Sequence, residues 1–253
     1  MARYSVDDVV KYLDRYLSIR HITDDDRALN GLQVENSGRL TRIGAAVDAS
    51  QASIGAAVAS DTSFLIVHHG LFWSGLEPLT DRHGRRIRTL HAGDIALYSA
   101  HLPLDCHRVV GNNWLLARRL GLRQLKPFGN AHGTFIGVVG NRATTRENLV
   151  RTLVSELGGT PRSIPTGPQR VRRVAVVTGA GASLLRQARE AGADTLVTGE
   201  ARHHAFFEAE EWGMNLILGG HYATETLGVK AVAAHLAERF GVEWGFFDHP
   251  TEL

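Results

Sequence analysis

Seven residues combine metal-ligating or acid–base side chains with positions where apolar runs stop. His68 and His69 follow FLIV, His101 and Asp105 follow IALYSA, Glu200 closes DTLVTGE, and His221 and Glu225 follow NLILGG. None of them belongs at such an end on packing grounds. Imidazole nitrogens suit Zn, Fe, Mn or Ni, and a carboxylate can bridge two such ions. Two neighbouring histidines, a further histidine and two acids are about what a two-metal centre needs. If the strand runs on through them, adjacent His68 and His69 point in opposing directions. A shared role then requires a turn at Gly70, or one histidine for each of two ions. If residues 221–225 open a helix, the i, i+4 spacing puts His221 and Glu225 on one face. A lone histidine at a strand end is usually a hydrogen-bonded loop residue, so the case rests on several such ends together.

The other reactive residues carry less. Of the thirteen histidines, His83, His91, His107, His132, His235 and His249 lack comparable partners and read as surface or packing residues. His203 and His204 are intermediate, since they follow the TGE strand end but fall on an expected helix. The single Cys106 excludes an intramolecular disulfide, fits a reducing compartment and lacks the partners of a nucleophile. It reads as a small buried residue, which leaves a mixed nitrogen–oxygen site. GAGAS at 179–183 resembles the start of a dinucleotide fingerprint, but Leu184 stands where the third glycine should be. A tight turn that brings backbone near the site is the better reading. Trp73, just after HHG, suits a pocket wall or a core position equally. There is no Walker loop, no H-E-x-x-H and no G-x-S-x-G.

The elements that must position these residues follow from composition and pattern. The chain has 253 residues, 43% hydrophobic and 21% charged, with a formal charge of +2, which is the profile of a folded chain. No run approaches the roughly 18 apolar residues of a membrane helix, and the start MARYSVDDVVKYL is not a secretory signal; a cytoplasmic location is expected. The near-balance of charge disfavours nucleic acid as a partner. RHGRRIR at 82–88 and QRVRR at 169–173 read as solvated turns, although a phosphate-bearing ligand can use one or two of these arginines.

Ser5, with Asp8 three residues on, caps a first helix. Strands are expected at RIGAAV, FLIV and IALYSA, with GLQVE extended and a helix at about 113–120 stopped by Gly121. The order then repeats. GTFIGVVG is a strand, a helix follows with Thr144 and Glu147 as its capping box, PRSIPTGPQR is linker-like, and VRRVAVVT, DTLVTGE and NLILGG are strands before a long helix near 224–240. Alternating strands and helices predict an α/β fold with sites at the carboxyl ends of strands. RIGAAVDAS matches RRVAVVTGAGAS, DTSFLIVHHG matches ADTLVTGE, and IALYSAHLPLD matches NLILGGHYATE. His101 with Asp105 thus pairs with His221 and Glu225, an internal duplication of about 1–125 and 126–253 within a single domain.

NGLQVE (30–35), VHHGLFW (67–73), YSAHLPLD (98–105), GNNWLLA (111–117), VTGE (197–200), GGHYATE (219–225) and FFDHP (246–250) resemble the signature blocks of the Nif-three-like dinuclear metal-centre family. Some of its members carry the name GTP cyclohydrolase I type 2. The resemblance covers nearly the whole chain, in order. It implies an α/β fold of two interleaved pseudo-repeats and a toroidal homohexamer, a trimer of dimers. It also implies two divalent ions per subunit (Zn, Fe, Mn or Ni) held by His68, His69, Asp105, His221 and Glu225, with Glu225 bridging and His101 beside them. The implied activity is hydrolysis of a small, optionally phosphorylated heterocycle, as in GTP ring opening with formate release. Glu200 or His101 would then move the proton. The rival reading is a non-enzymatic metal-binding, storage or regulatory protein. Tyr222 and His249 depart from the family pattern without removing a ligand.

Overall fold

The computed structural model describes residues 4–131 and 133–251, so His132 lies outside the described residues. Two compact units make up the chain. One is formed by residues up to Leu104 together with Gly228–His249, the other by Asp105–Leu227 together with the last residues from Pro250.

The first unit begins with helix α1 (Val6–Tyr16), where Ser5 and Asp8 form the expected capping box. It continues through β1 (Gly31–Val34), β2 (Arg42–Asp48), α2 (Gln51–Ala59), β3 (Phe64–His69), α3 (Asp81–Ala92) and β4 (Ala96–Ser99). Helix α4 (Leu102–Asp105) leads out of it. Strand order is β1-β4-β3-β2, and the edge beyond β2 is filled by β11 (Glu243–Phe246) from the far end of the sequence. β2, β3 and β4 run parallel, as does β11 on β2, while β1 is antiparallel to β4. Such parallel strands are apolar on both faces. Leu65 and Val67 pack with Ile54, Leu90 and Leu97 on one side, and Phe64 and Ile66 are equally buried on the other.

The second unit contains α5 (Asn112–Arg119), β5 (Arg123–Ala131), β6 (Thr134–Thr145), α6 (Arg146–Leu157), β7 (Arg162–Pro165), β8 (Arg170–Val177), α7 (Leu185–Glu190), β9 (Thr195–Thr198), α8 (Ala205–Glu211) and β10 (Asn215–Leu218). Helix α9 (His221–Phe240) opens here. The sheet order is β5-β6-β8-β9-β10-β7. Its two faces build separate cores by the period of two: Ala175, Val177, Leu196 and Leu216 enter one, and Val174, Val176, Val197 and Ile217 the other.

The duplication is written in the backbone hydrogen bonds. Ser63 donates to the Arg42 carbonyl and Ala96 to that of Ser63; Asp194 donates to Arg173 and Asn215 to Asp194 in the same relation. Likewise Ala100 donates to Val67, and Gly219 to Thr198. This register makes His69 equivalent to Glu200 and His101 equivalent to Gly220. The sequence match of His101 with His221 is therefore offset by one residue, because Gly219 and Gly220 precede α9 and Gly220 has a φ of +89°. The junction expected near residue 125 lies inside the second unit, in β5.

Four local expectations need correcting. RHGRRIR belongs to α3, because the chain after the Leu71–Thr80 loop continues as helix with Leu90 buried. PRSIPTGPQR is not a linker: Arg162–Pro165 pairs antiparallel with β10 as an edge strand, where its terminal proline is tolerated. Thr145, not Thr144, caps α6 by accepting from the Asn148 amide, since β6 stays paired up to Thr145. β5 and β11 carried no strand signal, as β5 is mostly exposed and β11 only partly buried.

Candidate metal centre

In the first unit the last two residues of β3 and the residue two past β4 bring three imidazoles together. Ring centroids are 4.8 Å apart for His68–His69, 5.0 Å for His68–His101 and 5.7 Å for His69–His101. One nitrogen of each lies within 4.8 Å of those of the others. The strand does run through His69, so convergence does not require a break between the two histidines.

Each ring is held through Nδ1 by an oxygen: His68 by the Ala100 carbonyl at 3.0 Å, His69 by Asp48 at 2.9 Å, and His101 by Asp24 at 2.9 Å. A carbonyl or carboxylate only accepts, so Nδ1 carries the proton and Nε2 is the donor atom each ring offers to a cation. This is the outer-shell arrangement that fixes tautomer and orientation in metal-binding histidines. Asp24 is the best built of the three. Its carboxylate also accepts from the Leu102 amide and from Asn30 Nδ2. Burial works against its ionisation, but the bond and charge of His101, then Asn30 and the Leu102 amide, outweigh that and hold its carboxyl below the ordinary value. Replacing Asp24 by asparagine should loosen His101 and lower any metal-dependent turnover about 10- to 100-fold while bound metal is kept. Activity assay with elemental analysis measures this, and wild-type turnover would remove the pair from the site.

The HHG turn is strapped by Gln33 from NGLQVE. Its Oε1 accepts from the Leu71 amide at 2.8 Å, and its Nε2 donates to the Ala28 and Leu29 carbonyls. A Cβ on Gly70 would fall 2.3 Å from Gln33 Nε2, which explains glycine there. Trp73 completes this group, 4.6 Å from the His101 ring and 5.4 Å from that of His69.

In the second unit α9 begins at His221, and Glu225 falls one turn on as expected. His221 Nε2 is 3.2 Å from Glu225 Oε2, and its Nδ1 is 3.2 Å from Glu200 Oε1. Glu225 is buried and Glu200 half exposed. The GAG turn packs against this pair. Gly179 has a φ of +63°, and a Cβ there would sit 2.1 Å from Glu225 Oε1. The turn is thus a close backbone approach, as the sequence suggested. Buried Asp105 accepts from Asn112 Nδ2 at 2.8 Å, and Asn113 accepts from the Thr178 amide, fixing the end of β8.

Burial disfavours a charged His221, but the hydrogen bonds and charges of Glu225 and Glu200 outweigh it and push its pKa up to about 9. A group raised above its unfolded value stabilises the fold fully below pH 6.5 and loses that contribution as pH climbs through about 9. Metal-free protein should therefore lose on the order of 1–3 kcal/mol between these limits. Urea unfolding of chelator-treated protein across that range measures it; a flat profile would contradict the pairing.

The donor set fits a divalent ion. Imidazole nitrogens and carboxylate oxygens, without thiolate, suit Zn, Fe, Mn or Ni. Sequence reasoning missed Asp24, Asp48, Asn112 and Gln33, which orient ligands or the turn that carries them. Asp48 had a signal, since it ends β2 at the same sheet edge. Of the remaining histidines, His83 is buried on α3, and His235 stacks with Tyr16 and bonds Tyr12 Oη at 2.6 Å, both packing roles.

Comparison with known proteins identifies the family. The sequence profile of Duf34/NIF3 (NGG1p interacting factor 3) matches residues 4–252. The chain is 45% identical to a GTP cyclohydrolase 1 type 2 homolog of Halobacterium salinarum, over 97% of this chain and all of that one. It is 40% identical to the homolog of that name from Deinococcus radiodurans, over 98% and 94%. TTHA1606 from Thermus thermophilus superposes with a TM-score of 0.90 at 44% identity, covering 98% of this chain and all of that one. A full-length profile match, whole-chain relatives and a shared fold leave one assignment: this chain is a member of the DUF34/NIF3 family.

Proposed function

We propose that the chain binds two divalent ions through His68, His69, Asp105, His221 and Glu225, with Glu225 bridging, and hydrolyses a nucleotide or similar heterocycle. The observation that carries the reading is the oxygen-held Nδ1 of His68 and His69, which readies their Nε2 atoms for a cation, with His101 held the same way beside them. The relatives' name, GTP cyclohydrolase 1 type 2 homolog, supports GTP as the first substrate to try. Bound divalent ions would supply a water of lowered pKa and a Lewis-acid centre. The chain's own groups do the rest. Asp48 and Glu200 hold His69 and His221 in their ligand orientation, and Asn112 does so for Asp105. His101, fixed by Asp24, and Glu200, open to solvent, are the two groups proposed to carry a proton.

The test is metal analysis of the purified protein, then reconstitution with Zn, Mn or Fe and assay of GTP for formate release. Metal-dependent formate release supports the hydrolase. Stoichiometric metal binding without turnover for any ion would assign the chain to metal storage or regulation instead. Assembly belongs to the same proposal: light scattering should report six chains in a ring-sized particle. So does a cytoplasmic site of action, which cell fractionation tests; no helix of the described residues is long and apolar enough to cross a membrane.

A further inference from the structure

Helix α5 of the second unit opens with two residues that serve the acids of the centre. Asn112 holds Asp105, and Asn113 accepts from the Thr178 amide. Thr178 precedes Gly179, whose would-be Cβ lies 2.1 Å from Glu225 Oε1. Direct contacts thus link the first turn of α5 to both Asp105 and Glu225.

The next residue, Trp114, packs in the core with Leu116, Leu149 and Val174, yet it gathers two guanidinium groups on its ring. Arg108 lies 5.2 Å and Arg118 5.7 Å from the ring centroid, both within cation–π range. Arg118 also donates through Nη2 to the Arg108 carbonyl, which ties the helix to the loop before it. That loop is preset. The His107 ring accepts at Nδ1 from the Val109 and Val110 amides, and the His107 carbonyl accepts from the Gly111 amide. Arg108 is thereby held three residues from Asp105, a chain span of at most about 11 Å.

Packing and helix energetics do not account for the two arginines. Both are exposed, so neither fills the core. A cation in the last turn of a helix commonly serves the terminal carbonyls. Here Arg142 donates to the Leu120 carbonyl, while Arg118 turns back to Trp114. The neighbouring cation Arg119 pairs with Glu156, whereas Arg108 and Arg118 form no ion pair among the described residues. Two like charges held on one ring repel each other, and an anion shared by both relieves that repulsion. Planar guanidinium forks match the oxygens of a phosphate by two-pronged hydrogen bonding.

We propose that Arg108 and Arg118, preset on Trp114, form a clamp for a phosphate group at the Asp105 end of α5. The ligand is a phosphorylated compound, a free polyphosphate or the phosphate chain of a nucleotide. The clamp needs neither bound metal nor turnover, so it stands apart from the proposed hydrolysis.

Calorimetric titration of the metal-reconstituted protein with tripolyphosphate, GTP and guanosine tests it. Wild type should bind tripolyphosphate and GTP, and guanosine more weakly than either. Arg108→Gln and Arg118→Gln should each weaken tripolyphosphate and GTP about 10- to 100-fold and leave guanosine unchanged. Arg118→Lys should recover part of the loss, because lysine keeps the charge without the fork. Arg119→Gln removes a positive charge one residue away and should change none of the affinities. GTP bound more tightly than tripolyphosphate identifies a nucleotide ligand, and equal affinities identify a free polyphosphate; either supports the clamp. Wild-type affinities in both glutamine variants, an equal loss in Arg119→Gln, or no binding of tripolyphosphate or GTP to wild type would overturn it. Elemental analysis of the same samples keeps the clamp and the metal centre apart. Loss of phosphate binding in variants with wild-type metal content supports the clamp as a separate site. Arginine-dependent phosphate binding by protein that takes up no metal would refute the metal centre and keep the clamp.

Discussion

Replacing Glu225 by alanine should strip the protein of bound metal and, with it, of the proposed hydrolysis. Glu225 is buried one turn into α9 with its carboxylate 3.2 Å from His221 Nε2. As the proposed bridge it would serve both ions, so its removal costs each a ligand. The loss of affinity should exceed the roughly 10- to 100-fold that follows loss of an outer-shell partner. Glu225→Gln separates charge from shape: it keeps the side-chain volume, yet cannot bridge two cations as an anion does. Both variants should also lower the His221 pKa toward its ordinary value, because the larger of its two carboxylate partners is gone. The loss of stability of metal-free protein between pH 6.5 and about 9 should shrink with it. Metal content is read by elemental analysis and turnover by formate release. Full metal occupancy in Glu225→Ala would sink the assignment of this residue as a ligand.

How much of this could be read beforehand depends on which physical signal each feature leaves. Central strands β2, β3, β4, β8, β9 and β10 were legible because burial on both faces makes them continuous apolar runs. β5, β7 and β11 were not, since edge strands need pair on one side only and carry Lys126, Pro127, Arg162 or Glu243 without cost. His68, His69, His221 and Glu225 stood out because polar residues interrupt those runs at their carboxyl ends. Their supports did not. Asp24 lies in an acidic DDD run that reads as a solvated loop, and only the fold sets it against His101, 77 residues away in sequence. Asn112 and Gln33 look like ordinary polar residues until their hydrogen bonds are seen. The duplication was readable from the matched strands, but its register was not. Backbone hydrogen bonds set His101 against Gly220 and not His221, an offset that matching one histidine with the other conceals.

The second large effect is expected from a residue with no side chain at all. Gly179→Ala adds one methyl group at a φ of +63°, where its Cβ would stand 2.1 Å from Glu225 Oε1 and 3.3 Å from His221 Nε2. The first distance is far inside van der Waals contact, so either the turn or the carboxylate must move. The turn is held: Gly179 N donates to Thr224 Oγ1 at 3.1 Å, and its carbonyl accepts from the Gly199 and Glu200 amides. The carboxylate must therefore swing from His221, and metal retention should fall by about 100-fold or more, beyond what outer-shell loss produces. The left-handed backbone adds about 1–2 kcal/mol of destabilisation for any residue bearing a Cβ. That part can be subtracted. Gly213 has a φ of +62° and nothing within 4 Å of its would-be Cβ, so Gly213→Ala carries the backbone cost alone. If both variants melt at lower temperature but only Gly179→Ala releases metal, the GAG turn is there to let a carboxylate occupy the space a side chain would take. Equal metal retention in the two would mean that Glu225 can reach its ions from another rotamer, and that the glycine serves only the turn.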